Sequence, residues 1–129
     1  MKILLHFLIC VFCFFGTTSY SLDVKWKIDG LAKPESVIYD RLTDSIYVSN
    51  INGEALELDK NGFISKISIN GNIIEKNWVK GLDGPKGMAI YNNFLFVSDI
   101  NKIWKISLKD KKMVAFKIND AGFLNDLTV

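Results

Sequence analysis

Three polar residues stand at the same place in a repeated sequence pattern, and two of them carry oxygen atoms that can hold a metal ion. Glu35 lies in the segment PESVI (34–38), Lys86 in PKGMA (85–89) and Asn125 in LNDLT (124–128). Carboxylate and amide oxygens are the ligands that Ca²⁺ takes in proteins. The pattern therefore suggests a cation site built on Glu35 and Asn125. In the alternative interpretation, Glu35 only satisfies a turn and Asn125 only caps a strand.

The elements that must position these residues are predicted to be strands. Residues 46–50 (IYVSN) are echoed by residues 95–99 (LFVSD), and short β-branched and aromatic runs alternate with turn pairs such as Asn52-Gly53 and Asn92-Asn93. In a β-propeller the first strand of every four-stranded blade lines the central channel. We therefore expect Glu35, Lys86 and Asn125 to point towards one axis.

The predicted fold class is all-β, a β-propeller fragment of about two four-stranded blades plus the start of a third. The candidate strands are residues 24–28, 36–39, 45–50, 55–58, 63–69, 72–75, 87–91, 94–98, 102–107, 112–118 and 125–129. A propeller needs at least four blades to close, so residues 22–129 are interpreted as an incomplete β-propeller domain. Trp26, Trp78 and Trp104 are expected to pack between blades.

Residues 1–21 have the charged, apolar and small-residue zones of a secretory signal peptide, with cleavage expected before Leu22. We therefore expect an exported protein, periplasmic or secreted, with no stable membrane insertion after the signal is removed. The only histidine, His6, and both cysteines, Cys10 and Cys13, lie in this segment. Residues 22–129 therefore offer no Ser-His-Asp triad, no cysteine nucleophile and no zinc site built on His or Cys.

The formal net charge of +2 and the scattered lysines give no reason to expect nucleic acid as a partner. The segment Glu57-x-Asp59-x-Asn61-Gly62 partly resembles a calcium-binding EF-hand loop. Ser68 stands where that loop needs a glutamate, so a hairpin turn is the preferred interpretation. Asp99 is interpreted as a strand-end residue that caps a loop.

The order of segments 34–40, 46–51, 81–89 and 123–129 resembles the gluconolactonase and regucalcin-type (senescence marker protein) family of six-bladed propellers. The resemblance implies a divalent metal in the channel, Ca²⁺ or Zn²⁺, with Ca²⁺ expected here and with Glu35 and Asn125 among its ligands. It implies a metal-dependent hydrolase acting on a small lactone or ester, with further ligands beyond Val129. The catalytic base is not identified.

Lys86 departs from that pattern, because a divalent cation repels an ammonium group. It must turn away, bind an anionic part of the substrate or replace the metal, and we expect an outward or substrate-facing side chain. Propellers that only bind, such as the NHL-repeat type, also have strands that open like residues 85–89. The rival function is therefore a non-catalytic propeller that recognises a protein or a carbohydrate.

Overall fold

The computed structural model describes residues 22–129, so the predicted signal peptide lies outside the described residues. These residues form two four-stranded antiparallel sheets in which sequential strands are neighbours, and none of them forms a helix that could cross a membrane. The first sheet contains β1 (Pro34–Asp40), β2 (Ser45–Asn50), β3 (Gly62–Ser68) and β4 (Ile73–Leu82). The second contains β5 (Pro85–Tyr91), β6 (Phe94–Asp99), β7 (Lys102–Ser107) and β8 (Met113–Lys117). The all-β prediction is confirmed.

Eight of the candidate strands correspond to these elements, and three were wrong. Residues 24–28, 55–58 and 125–129 alternate in polarity, but none of them has a partner strand among the described residues. The segment 55–58 instead lies largely within a turn in which Glu57 N donates to Glu54 O, and Leu56 and Leu58 remain exposed. Alternating polar and apolar residues do not by themselves form a strand, because a strand also needs hydrogen bonds to a neighbouring strand.

Tight turns join β1 to β2, β3 to β4 and β5 to β6, and residues that tolerate a positive φ occupy them. The β5–β6 hairpin has a two-residue loop, Asn92 (φ 47°) and Asn93 (φ 63°). Positive φ angles at both residues are those of the type I′ turn, which commonly joins two antiparallel strands. Asp44 (φ 48°) and Gly71 (φ 82°) serve the β1–β2 and β3–β4 connections. These short loops fix the sequential order of the strands.

The hydrophobic core lies between the two sheets, and β5 packs against β1, β2 and β3. Its fully or nearly fully buried members come from both sheets: Tyr47, Ile64, Trp78, Val79, Leu82, Met88, Leu95, Val97 and Ile106. The rings of Tyr47 and Trp78 lie 4.7 Å apart between centroids at 54°. Of the three tryptophans expected between sheets, Trp78 is buried there, Trp104 packs at the edge of the core and Trp26 is 41% exposed.

Candidate functional site

Both sheets begin with the same backbone irregularity, and two of the predicted site residues lie within it. In β1, Glu35 and Ser36 together face the single residue Ser49 of β2. The same two-to-one pairing sets Lys86 and Gly87 of β5 against one residue of β6. Such β-bulges redirect side chains and are common beside active sites. The repeat in the sequence is thus matched by a repeat in backbone geometry.

Glu35 presents its carboxylate to solvent at the first bulge. The side chain is exposed and makes no hydrogen bond or ion pair with any other residue from 22 to 129. The backbone beneath it is held by Ser49, whose Oγ accepts a hydrogen bond from Ser36 N at 3.0 Å. The bulge is therefore fixed while the carboxylate stays free to bind a cation or a substrate.

Lys86, at the equivalent bulge, lies inside the protein, and the expectation of an outward side chain was wrong. It is 2% exposed. Its Nζ donates to Ala55 O at 3.0 Å and to Gly84 O at 2.9 Å, and lies 5.2 Å from the centre of the Phe123 ring. These carbonyl dipoles and the ring face offset the loss of hydration of the ammonium. The role of Lys86 towards substrate stays a prediction.

Asn125 lies beside the second bulge. Its backbone oxygen accepts hydrogen bonds from Gly87 N at 2.9 Å and from Ser98 Oγ at 3.0 Å, while its side chain is exposed. The approach is so close that a Cβ on Gly87 would lie 2.7 Å from Cα of Asp126. A side chain at position 87 would clash with residues 125–126, so this packing requires glycine. Because Gly87 N bonds to Asn125 O, Asn125 lies next to Lys86 in the fold. Glu35 shares no hydrogen bond with either residue within the described chain.

A buried aspartate joins the two sheets, which agrees with the prediction that Asp99 caps a loop. Its carboxylate is fully buried and accepts three hydrogen bonds. They come from Asp83 N at 3.0 Å, Gly84 N at 2.7 Å and the Trp104 indole Nε1 at 2.8 Å. The β4–β5 connection, which sets where β5 begins, is therefore tied to the end of β6.

An ion pair that sequence reasoning missed supports the same connection. Asp83 is 2% exposed, and its Oδ2 lies 2.5 Å from the ammonium of Lys102. Its Oδ1 accepts a hydrogen bond from Lys60 N at 3.0 Å. Removing Lys102 would leave the buried Asp83 carboxylate without its counter-charge, whereas the Lys102 side chain is partly exposed to solvent. Around Asp83 the sequence shows only Asp83-Gly84-Pro85, which is typical of a turn and gives no indication of an ion pair with Lys102.

The metal hypothesis can be tested against the donor atoms present. Within residues 22–129, no three His, Cys, Asp or Glu side chains cluster closely enough to hold a metal ion. Glu35 and Asn125 each present an exposed oxygen of the kind that a hard cation takes. The donor chemistry of these two residues fits Ca²⁺.

The stretch that partly resembles an EF-hand loop is a turn. Asp59 Oδ1 accepts a hydrogen bond from Asn61 N at 3.1 Å, and Lys60 between them has a φ of 59°. The Asp59 carboxylate also contacts the Asn61 amide at 2.5 Å. The hairpin-turn interpretation is confirmed.

A cleft of about 550 Å³ lies at the opposite end of β1 from Glu35. It is lined by the turns that follow β1 and β5, including Tyr39, Arg41, Tyr91 and Asn92. The Tyr39 hydroxyl donates to the Asp44 carboxylate, and this hydrogen bond raises the pKa of the phenol above its usual value. None of the predicted site residues reaches this cleft.

Comparison with protein-family models finds no match to this chain, and comparison with curated proteins finds none either.

Proposed function

We propose that the two sheets are successive blades of an exported, six-bladed β-propeller that hydrolyses a small lactone or ester in its channel, in a metal-dependent reaction. The observation that carries the proposal is the shared bulge. It gives Glu35 and Lys86 equivalent positions at the openings of β1 and β5. Asn125, the opening residue of the third repeat, is hydrogen-bonded against the second bulge through Gly87.

Glu35 and Asn125 are the residues that would hold the metal. Neither side chain is engaged by another described residue, so both oxygens can be donated without breaking an existing bond. When bound, a divalent cation would supply Lewis-acid polarisation of the substrate carbonyl. Glu35 sits on a bulge whose backbone is held by Ser49, which fixes the point from which its side chain leaves the sheet.

The buried Lys86 has a separate consequence for substrate binding. Two of its N–H bonds are already donated to Ala55 O and Gly84 O, so the group is held in place rather than free to follow a ligand. Because Lys86 is 2% exposed and the Phe123 ring lies 5.2 Å from its ammonium, a substrate anion would reach the remaining N–H only if neighbouring residues moved. Lys86 is therefore proposed as a fixed cation at the edge of the site.

The second candidate function is a binding propeller without catalysis, and the same lysine favours it. At the start of β5 the buried ammonium of Lys86 is hydrogen-bonded to backbone carbonyls, whereas at the start of β1 the equivalent residue, Glu35, has an exposed and unpaired carboxylate. An internal cation repels a second cation nearby. In this alternative the loops at the rim recognise a protein or a carbohydrate, and Glu35 contacts that ligand directly.

The experiment is to compare Glu35→Gln with the unchanged mature protein, measuring bound metal and the hydrolysis of a panel of sugar lactones and aryl esters with and without chelator. We expect chelation and Glu35→Gln each to lower hydrolysis by about 100-fold or more, since Lewis-acid assistance contributes several kcal/mol and about 1.4 kcal/mol is a tenfold change. Glu57→Gln is the matched control, because Glu57 is also exposed and unpaired among the described residues. A properly folded protein with neither metal nor hydrolysis would favour the binding propeller.

A further inference from the structure

We infer that a second cleft, beside β3, β4 and the connection between β2 and β3, binds a small acidic sugar. The cleft has a volume of about 470 Å³, within the range of small-molecule sites. Its polar lining consists of three lysines and three asparagines, namely Lys60, Lys76, Lys80, Asn52, Asn61 and Asn77. No acidic residue lines it.

The three lysines are uncompensated within the described chain. Lys33, Lys102, Lys111 and Lys112 each pair with a carboxylate, whereas Lys60, Lys76 and Lys80 make neither an ion pair nor a side-chain hydrogen bond. Three ammonium groups around one cleft repel each other, and an anion bound among them lowers that repulsion. The charge arrangement therefore selects a ligand that carries carboxylate, sulfate or phosphate.

The backbone around the cleft is irregular in a way that presents these lysines. In β4 three residues, Lys76, Asn77 and Trp78, face the single residue Ser65 of β3. Ser65 Oγ donates to Lys76 O at 2.6 Å, and Trp78 is buried in the core. Because Trp78 is anchored inward, Lys76 and Asn77 remain exposed at the bulge. The bulge therefore places the side chains of Lys76 and Asn77 in the lining of the cleft.

The opposite wall is also fixed in place. Lys60 has a left-handed φ of 59°, and its backbone N–H donates to the buried Asp83 carboxylate. Asn52 Nδ2 donates to Asn61 O at 3.0 Å, which links the two asparagines of this wall. A site whose backbone is already ordered loses less conformational freedom when a ligand binds.

The asparagines indicate a sugar in addition to an anion. Amide side chains both donate and accept hydrogen bonds, so they can pair with hydroxyl groups, and Asn77 makes no side-chain hydrogen bond with the described residues. Ala32 and the largely buried Phe63, which is paired with Lys80 in the β3–β4 register, contribute a small apolar surface to the cleft. Hydroxyl, anionic and apolar groups together are the chemistry of an acidic mono- or disaccharide.

The test is titration of the mature protein, by calorimetry and by amide chemical shifts, with four probes. These are a galacturonate disaccharide, glucose 6-phosphate, the neutral disaccharide maltose and inorganic sulfate. We expect the acidic sugars to bind, and the comparison between the first two distinguishes carboxylate from phosphate as the anionic group. Binding should weaken as salt rises, because the charges are exposed.

The double variant Lys76→Gln/Lys80→Gln should weaken that binding by about tenfold or more, the loss expected for charge-assisted hydrogen bonds. Lys109→Gln/Lys117→Gln removes the same charge from two exposed positions, one in the β7–β8 connection and one at the end of β8, and should leave binding unchanged. Equal losses in the two double variants, maltose binding as tightly as the acidic sugars, or sulfate binding as tightly as they do would each overturn the proposal. Glu35→Gln leaves this cleft intact, so failure of the hydrolase proposal would not affect the result.

Discussion

Asn50 and Asp99 occupy the same position in the two sheets, at the end of the second strand, but Asn50 has both donors and acceptors around it whereas Asp99 has only donors. Asn50 is fully buried and uses its Nδ2 to donate to Val48 O and Ser65 Oγ, while its Oδ1 accepts from Ala32 N. Asp99 is also fully buried but meets only donors. The amide in one repeat and the carboxylate in the other are each matched to their neighbours.

Exchanging these two residues should therefore destabilise both sheets. In Asp99→Asn, an amide N–H₂ would face one of the donors Asp83 N, Gly84 N or Trp104 Nε1. In Asn50→Asp, the new carboxylate would face Val48 O. We expect each variant to lose about 1–3 kcal/mol of unfolding free energy, the cost of an unsatisfied buried group. Urea unfolding measures this, and an unchanged midpoint for either variant would contradict the matching.

Gly87 should be required for the chain after β8 to pack against β5. A Cβ at this position would collide with the Asp126 carboxylate and lie 2.9 Å from Asn125 O. Gly87→Ala is expected to displace residues 124–126 and to increase amide exchange of Gly87, whose N–H bonds to Asn125 O. Gly122→Ala is the matched control, because a Cβ there meets nothing within 4 Å. Similar exchange in the two variants would show that the segment tolerates the extra atom.

Removing the ammonium of Lys86 should cost stability even though it is a buried charge. Lys86→Met keeps the unbranched apolar stem but leaves Ala55 O and Gly84 O without their donor. The expected loss is about 1–3 kcal/mol in urea unfolding, because unsatisfied buried acceptors retain their desolvation cost. Lys109→Met, an exposed lysine, should change little. A more stable Lys86→Met protein would mean that burying the charge costs more than its hydrogen bonds contribute.

Tyr39 should titrate at a higher pH than a free tyrosine, because its hydroxyl donates to the Asp44 carboxylate, with burial and the negative charge adding to the effect. A folded-state pKa raised above 10 gives stabilisation that is complete below pH 10 and is lost as the pH rises through the raised value. Asp44→Asn should lower the Tyr39 pKa towards 10 and keep the turn, since asparagine tolerates the φ of 48°. Absorbance titration of the phenolate measures the shift, with Tyr39→Phe identifying its contribution. An identical titration curve in Asp44→Asn would rule out the hydrogen bond as the cause.

Local patterns predicted most strands but misjudged their extent where the ladder is irregular. Residues 45–50 and 102–107 have regular partners, and both were predicted with the observed bounds. For β4, only residues 72–75 were predicted, whereas the strand continues to Leu82. The bulge opposite Ser65 interrupts the two-residue alternation, so the sequence around Trp78 does not look like a strand although it is one.

Sequence alone determined the all-β class, the two similar halves and the turns, because these depend on residue types and on spacings within a few positions. It also identified Glu35 and Lys86 as equivalent positions of a repeat, and the equivalence of Asn125 stays a prediction because residues 125–129 form no strand. Only the tertiary structure decided what their side chains do. Lys86 is buried because Ala55 O and Gly84 O converge on its ammonium, and Ala55 is 31 residues away in the chain. The residues around a side chain come from segments that are distant in the sequence, and a local sequence pattern does not show which segments will be in contact.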